Sequence, residues 1–125
     1  MRILLDTHVF LWAVTNDPKL SQAAERLILD AEEVFISAAS IWEISIKAGL
    51  EKIDVNVDEL IAEITAAGFR ELPVTNSHAA AVRHLPNHHR DPFDRLLIAQ
   101  AITEPLRLLS ADEHVWKYSD LVIRV

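Results

Sequence analysis

Cysteine is missing altogether, which removes disulfides, thiolate metal sites and a cysteine nucleophile from consideration. The same absence fits a reducing compartment, so the cytoplasm is the expected location. No window approaches the roughly 20 uninterrupted apolar residues that cross a bilayer. The apolar opening run is broken by Asp6 and His8, which spoils it as a signal-peptide core. No membrane partner is expected. Glycine occurs only twice, and there is no repeat or low-complexity tract, so the chain reads as regular elements without a linker. Positive charge is scarce too: 12 Lys and Arg against 19 Asp and Glu leave a formal net charge of −7. A protein that grips nucleic acid mainly by neutralising phosphates carries a basic surface. A nucleic-acid partner here therefore needs local basic patches or bound cations.

What is present is a chain of 125 residues, half hydrophobic and a quarter charged, enough for one compact domain over 1–125 and too short for two. Short β-rich runs alternate with longer helix-period segments, the pattern of an α/β fold with a mainly parallel sheet. The predicted strands are Ile3–Leu5, Val34–Ile36, Arg70–Leu72, Leu106–Leu109 and Leu121–Ile123. The predicted helices are Leu20–Ala31 capped by Ser21, Ser40–Gly49, Val57–Ala67 ended by Gly68, Asn76–His84, and Pro92–Thr103. The last of these is apolar nearly all round and so belongs deep in the domain, with Asp91-Pro92 supplying an N-cap and the proline favoured at the first helical position.

In a doubly wound sheet, ligands bind outside the carboxyl ends of the strands. Acids fall at that edge: Asp6 after the first strand, Glu43 early in the helix after the second, Asp94 at the start of the buried helix, and Asp112 after the strand ending at Leu109. Taken singly, each reads as a helix cap or a first-turn carboxylate facing unpaired N–H groups. Asp6 can cap a helix starting near Thr7, Ser40 and Glu43 have the spacing of a capping box, and Asp112 can cap a short helix through Trp116. Taken together, several carboxylates at one edge repel one another unless something neutralises them. Hard oxygen ligands of this kind select Mg²⁺ or Mn²⁺.

The segments LLDTH, SAASIWEISIK, HHRDPFDRLLIAQA and LLSADEHV, in this order over essentially the whole chain, resemble the PIN-domain ribonucleases, specifically the toxins of bacterial VapBC-type toxin–antitoxin pairs. The third segment is the most specific. The resemblance implies a PIN-like three-layer α/β/α sandwich on a five-stranded, mainly parallel sheet. It implies that Asp6, Glu43, Asp94 and Asp112 are catalytic and hold Mg²⁺, with Mn²⁺ as the alternative ion. Ser110 stands where the family usually has Thr before the last acid, keeping a hydroxyl donor, and Asp91 matches a subfamily feature and is held here as the cap. The resemblance also implies an RNA substrate, products with 5′-phosphate and 3′-hydroxyl ends, a cognate antitoxin that blocks the acids, and a homodimer or toxin–antitoxin hetero-oligomer.

Candidate substrate contacts are Thr7, Lys47, His89, Arg90 and Ser110. Lys47 is also placed for an ordinary ion pair with Glu43 one turn back. The run HLPNHHRD has no regular zinc-ligand spacing and reads as a solvated loop, in which His89 and Arg90 can meet phosphate. Ser37 reads as structural, and Trp12, Trp42 and Trp116 as core or interface aromatics. Two other function classes stay open: a catalytically inactive PIN-fold binding module, and a phosphoacceptor receiver domain. The latter fits poorly, because Asp6-Thr7-His8 is not an acidic pair and no acid ends the third strand, which runs into Leu72-Pro73-Val74.

Overall fold

The computed structural model describes Met1–Val125. Five parallel strands, β1 (Arg2–Leu5), β2 (Glu33–Ser37), β3 (Arg70–Leu72), β4 (Arg107–Ser110) and β5 (Val122–Arg124), form one sheet in the order β3-β2-β1-β4-β5. The helices are α1 (Thr7–Val14), α2 (Gln22–Asp30), α3 (Ala38–Gly49), α4 (Val57–Ala66), α5 (Asn76–Ala81), α6 (Pro92–Thr103) and α7 (Glu113–Trp116).

Three layers follow from strand alternation. Successive strand side chains point to opposite faces, so Leu4, Phe35, Leu72 and Leu108 pack against Leu97, Ile98 and Ala101 of α6 together with Val115 and Tyr118. Their neighbours Ile3, Leu5, Val34, Ile36 and Leu109 pack against Val9 and Phe10 of α1, Ile44 of α3, and Leu60 and Ile64 of α4. A sheet covered on both faces needs apolar residues at consecutive strand positions, which is why Ile3-Leu4-Leu5 is uninterrupted.

Local chemistry sets most of the ends. Ser21 caps α2, Asp91 caps α6 through Phe93 and Asp94 N–H, and Gly68 takes φ 79 after α4, a left-handed conformation that suits glycine. Two helices differ from expectation. The third starts at Ala38, with Ser37 as its cap through Ala39 N–H, because β2 runs through Ser37 and the chain turns directly into the helix. Ser40 and Glu43 therefore form no capping box. The helix predicted over Asn76–His84 is α-helical only to Ala81 and tightens to a 3₁₀ turn over Val82–His84 before the proline-containing loop.

The chain winds from β1 through β2 to β3 on one side and then places β4 on the other side of β1. The carboxyl ends of β1 and β4 thus meet at the point where strand order reverses, the position where open α/β sheets bind ligands.

Candidate active site at the carboxyl edge of the sheet

Asp6 leaves β1 at that reversal, and its backbone N–H extends the ladder by donating to Leu109 O at 3.0 Å. Its carboxylate is buried, which requires hydrogen bonds. Oδ1 accepts from Thr7 N–H at 2.7 Å, and Oδ2 accepts from the Ser110 hydroxyl at 2.6 Å. Ser110 Oγ also accepts from Asp112 N–H at 3.1 Å, so one buried hydroxyl ties the first acid to the loop of the last. Asp112 caps α7 through His114 N–H at 2.9 Å. Trp116 on that short helix donates from Nε1 to Ser110 O at 2.7 Å, holding the turn closed.

Glu43 is buried in the second turn of α3, where Lys47 Nζ lies 3.0 Å from its Oε2. The start of α3 is anchored twice. Thr7 Oγ1 lies 2.9 Å from Ser40 Oγ, linking it to α1 beside Asp6, and Ser37 Oγ donates to Gln100 Oε1 of α6 at 2.6 Å. Gln100 and Ser37 are both fully buried, and the Gln100 amide donates to Pro73 O at 3.3 Å.

Asp94, in the first turn of α6, is gripped by His89, whose Nε2 lies 3.0 Å from Oδ2. The ring's other nitrogen, Nδ1, lies 2.7 Å from the Tyr118 hydroxyl. A carboxylate only accepts, so Nε2 donates to Asp94, and the Tyr118 hydroxyl also lies within donating distance of His89 O at 3.3 Å. Tyr118 Oη in turn accepts from His89 N–H at 3.1 Å and from Arg95 Nη1 at 3.0 Å. The segment read as a solvated loop is thus ordered around a half-buried histidine that belongs to the acidic site. His114 stacks on that histidine with ring centroids 5.9 Å apart.

Burial pushes the Asp94 carboxyl up to about 6, against the His89 hydrogen bond that lowers it, and the charges of Asp6, Asp91 and Asp112 push it further the same way. Burial also raises Asp6; hydrogen bonds from Ser110 and Thr7 and the nearby His8 oppose this, and Glu43 adds to it. The four acids therefore feel one another as a connected set. As the side chains stand, no three acidic or imidazole groups converge closely enough to hold an ion among themselves. Glu43, Asp94 and Asp112 have each turned one oxygen to a local partner, a lysine, a histidine and a backbone N–H respectively, while both Asp6 oxygens accept, from Thr7 N–H and the Ser110 hydroxyl. The donor set still fits Mg²⁺ or Mn²⁺, because Mg²⁺ is held by one or two carboxylates, several waters and substrate phosphate. A cation there also counters the burial, and the smaller mutual repulsion, that raise Asp6 and Asp94.

The sequence model of the PIN domain matches residues 3–121. The chain belongs to the PIN-domain family. A relative, Ribonuclease VapC22 of Mycobacterium tuberculosis (strain ATCC 25618 / H37Rv), is 34% identical over 115 residues, spanning 90% of this PIN-domain chain and 88% of the relative. Two solved structures share the fold. A chain of VapBC2 from Rickettsia felis bound to a promoter DNA fragment gives a TM-score of 0.65 at 16% identity, covering 100% of this chain and 98% of that one. A chain of a toxin–antitoxin complex from Klebsiella pneumoniae gives 0.67 at 15% identity, covering 97% and 95%.

Among the candidate substrate contacts, Thr7 and Ser110 are buried, with their hydroxyls engaged by Ser40 and by Asp6 and Asp112. Both hydroxyls are thus committed within the protein, that of Ser110 supporting Asp6 and the turn carrying Asp112. Lys47 is held by Glu43, His89 by Asp94, and Arg90 alone is exposed without a partner. Trp42 is no core residue: it is 60% exposed and meets Phe93 edge-on at 4.9 Å. Gln100, Tyr118 and Arg95 were not legible as site residues, since each acts through contacts with distant segments that leave no local pattern.

Proposed function

We propose that this PIN-domain chain is a divalent-metal-dependent endoribonuclease, the toxin of a toxin–antitoxin pair, working at Asp6, Glu43, Asp94 and Asp112. One observation carries the reading: buried carboxylates sit at the strand-order reversal, and burial and mutual repulsion raise the proton affinity of Asp6 and Asp94. Crowding partly buried acids in this way costs stability, and raised proton affinities clustered at one edge are characteristic of functional sites. VapC22 is a ribonuclease by name, and both structural neighbours are toxin–antitoxin assemblies, in keeping with an RNA substrate and an antitoxin partner.

Asp6, Asp94 and Asp112, with Glu43, would hold Mg²⁺ or Mn²⁺. The bound ion supplies a more acidic water and offsets the charge that builds on the phosphodiester. The protein fixes the acids. Ser110 aims Asp6, His89 aims Asp94, and Lys47 holds one oxygen of Glu43 while leaving the other free to take a proton. Single-stranded RNA suits a recessed edge better than a duplex. The antitoxin would cover this edge, and exposed apolar side chains such as Leu29 and Ile61 offer surface for it or for a second copy of the chain. No helix is long and apolar enough to cross a membrane, consistent with work in the cytoplasm.

The test is cleavage of single-stranded RNA with Mg²⁺ and with EDTA. The wild type cuts only with the ion, and Asp94→Asn purified in the same way does not cut. Equal cleavage in EDTA, or by Asp94→Asn, overturns the reading.

A further inference from the structure

Next to Asp94 the surface opens into a pocket of about 550 Å³ whose five lining residues, Asn87, His88, His89, Arg90 and Arg95, include no apolar side chain. Its charge sets it apart in a chain of net charge −7. Its lining holds two arginines and no carboxylate, and neither Arg90 nor Arg95 forms a salt bridge. Arg95 hydrogen-bonds only neutral acceptors, Pro86 O at 2.8 Å and Tyr118 Oη at 3.0 Å, with longer contacts to His89 O and Val82 O at 3.5 Å. The nearest acid in sequence, Asp91, has Oδ1 committed to Phe93 and Asp94 N–H. His89 forms the wall between pocket and acidic edge, since its ring is bonded to Asp94.

Two guanidinium groups free of carboxylates at one concavity, a single histidine away from an acidic site, match an anion in shape and in charge. A polyanion approaching the acidic edge is repelled by it, so a neighbouring cationic subsite is where attraction is needed. We propose that this pocket binds a phosphodiester of single-stranded RNA adjoining the one at the acids, with Arg90 as the exposed ligand and Arg95 as the fixed positive floor. The inference rests on the ribonuclease reading and deepens it. An acidic segment of a protein partner is the competing occupant.

The test measures binding of a short labelled oligoribonucleotide by the full chain across a salt series, using fluorescence anisotropy with Ca²⁺ in place of Mg²⁺ and intact RNA verified on a gel. Arg90→Gln is expected to weaken binding about threefold to tenfold at low salt and to reduce the slope of log Kd against log salt by about 0.7, the share of one phosphate contact on a single strand. Arg90→Lys retains the slope. Arg107→Gln, at the opposite edge of the sheet where β4 begins, leaves Kd unchanged. An unaltered slope in Arg90→Gln at unchanged Tm overturns the proposal, as does an equal loss in Arg107→Gln, which would indicate a diffuse field. RNA binding insensitive to Arg90 alongside Arg90-dependent binding of a polyglutamate peptide assigns the pocket to a protein and also overturns it. Wild-type protein that neither binds nor cleaves RNA defeats the ribonuclease reading itself, whereas wild-type cleavage with an indistinguishable Arg90→Gln defeats only the pocket.

Discussion

His89 Nε2 lies 3.0 Å from Asp94 Oδ2, while Nδ1 of the same ring lies 2.7 Å from the Tyr118 hydroxyl. One imidazole thus joins the loop before α6, the first turn of α6 and the segment after α7 at the acid with the strongest sequence signature.

Because that hydrogen bond holds the Asp94 value down against burial, His89→Ala is expected to raise it above about 6. Protons and metal compete for the same carboxylate. Apparent Mg²⁺ affinity should therefore fall in the wild type as pH drops through about 6, and in His89→Ala the fall should begin at higher pH. Calorimetric titration of the ion over a pH series checks this; coincident profiles would mean that His89 does not govern Asp94.

Stability carries the opposite sign from an ordinary salt-bridged acid. The folded-state value of Asp94 is raised, so its favourable contribution is complete below the unfolded value near 4 and is lost as pH rises through about 6. In EDTA at pH 7.5, Asp94→Asn should melt roughly 3–6 °C above the wild type, and the gap should close toward pH 4. Mg²⁺ should raise the wild-type Tm more than that of the variant. A variant that melts lower at pH 7.5 would make Asp94 a structural group.

Ser110 serves two acids with one buried hydroxyl, so Ser110→Ala strands Asp112 N–H and removes a charge-assisted bond from Asp6. The expected cost is about 1–3 kcal/mol in urea unfolding, with loss of cleavage, and Ser110→Thr should restore most of both. Full activity in Ser110→Ala would remove it from the positioning of Asp6.

Gln100→Leu deletes the acceptor of the Ser37 hydroxyl and the donor to Pro73 O in a fully buried site. The expected loss is again about 1–3 kcal/mol. The same variant loosens the start of α3, so hydrogen exchange should quicken at Ala39 and Ser40 more than in α4.

The strands were legible because each apolar run is short, β-rich and bounded, and all five lie within two residues of expectation. The caps at Ser21, Asp91 and Asp112 were legible because a cap is a local event. The start of α3 was not. SAAS offers two serines three apart, and the choice of Ser37 over Ser40 depends on where β2 stops and on Thr7 and Gln100 reaching in from 33 and 63 residues away. The four acids could be placed at one edge by strand order alone, whereas their partners His89, Tyr118, Arg95 and Gln100 are set by packing between segments distant in sequence. Trp42 was legible only as core or interface, and the assembled neighbours remove the first of these by showing that α3 turns it outward beside Phe93.

The claim on which the rest depends is that the carboxylates at the reversal of strand order share a divalent cation. Titration of Mn²⁺ into the wild type, Asp6→Asn and Asp94→Asn, followed by electron paramagnetic resonance, tests it without reference to any particular RNA. The account predicts saturable binding by the wild type and at least about tenfold weaker binding in each variant, since each removes a charged oxygen ligand. Equal Mn²⁺ affinity in all three proteins would contradict it.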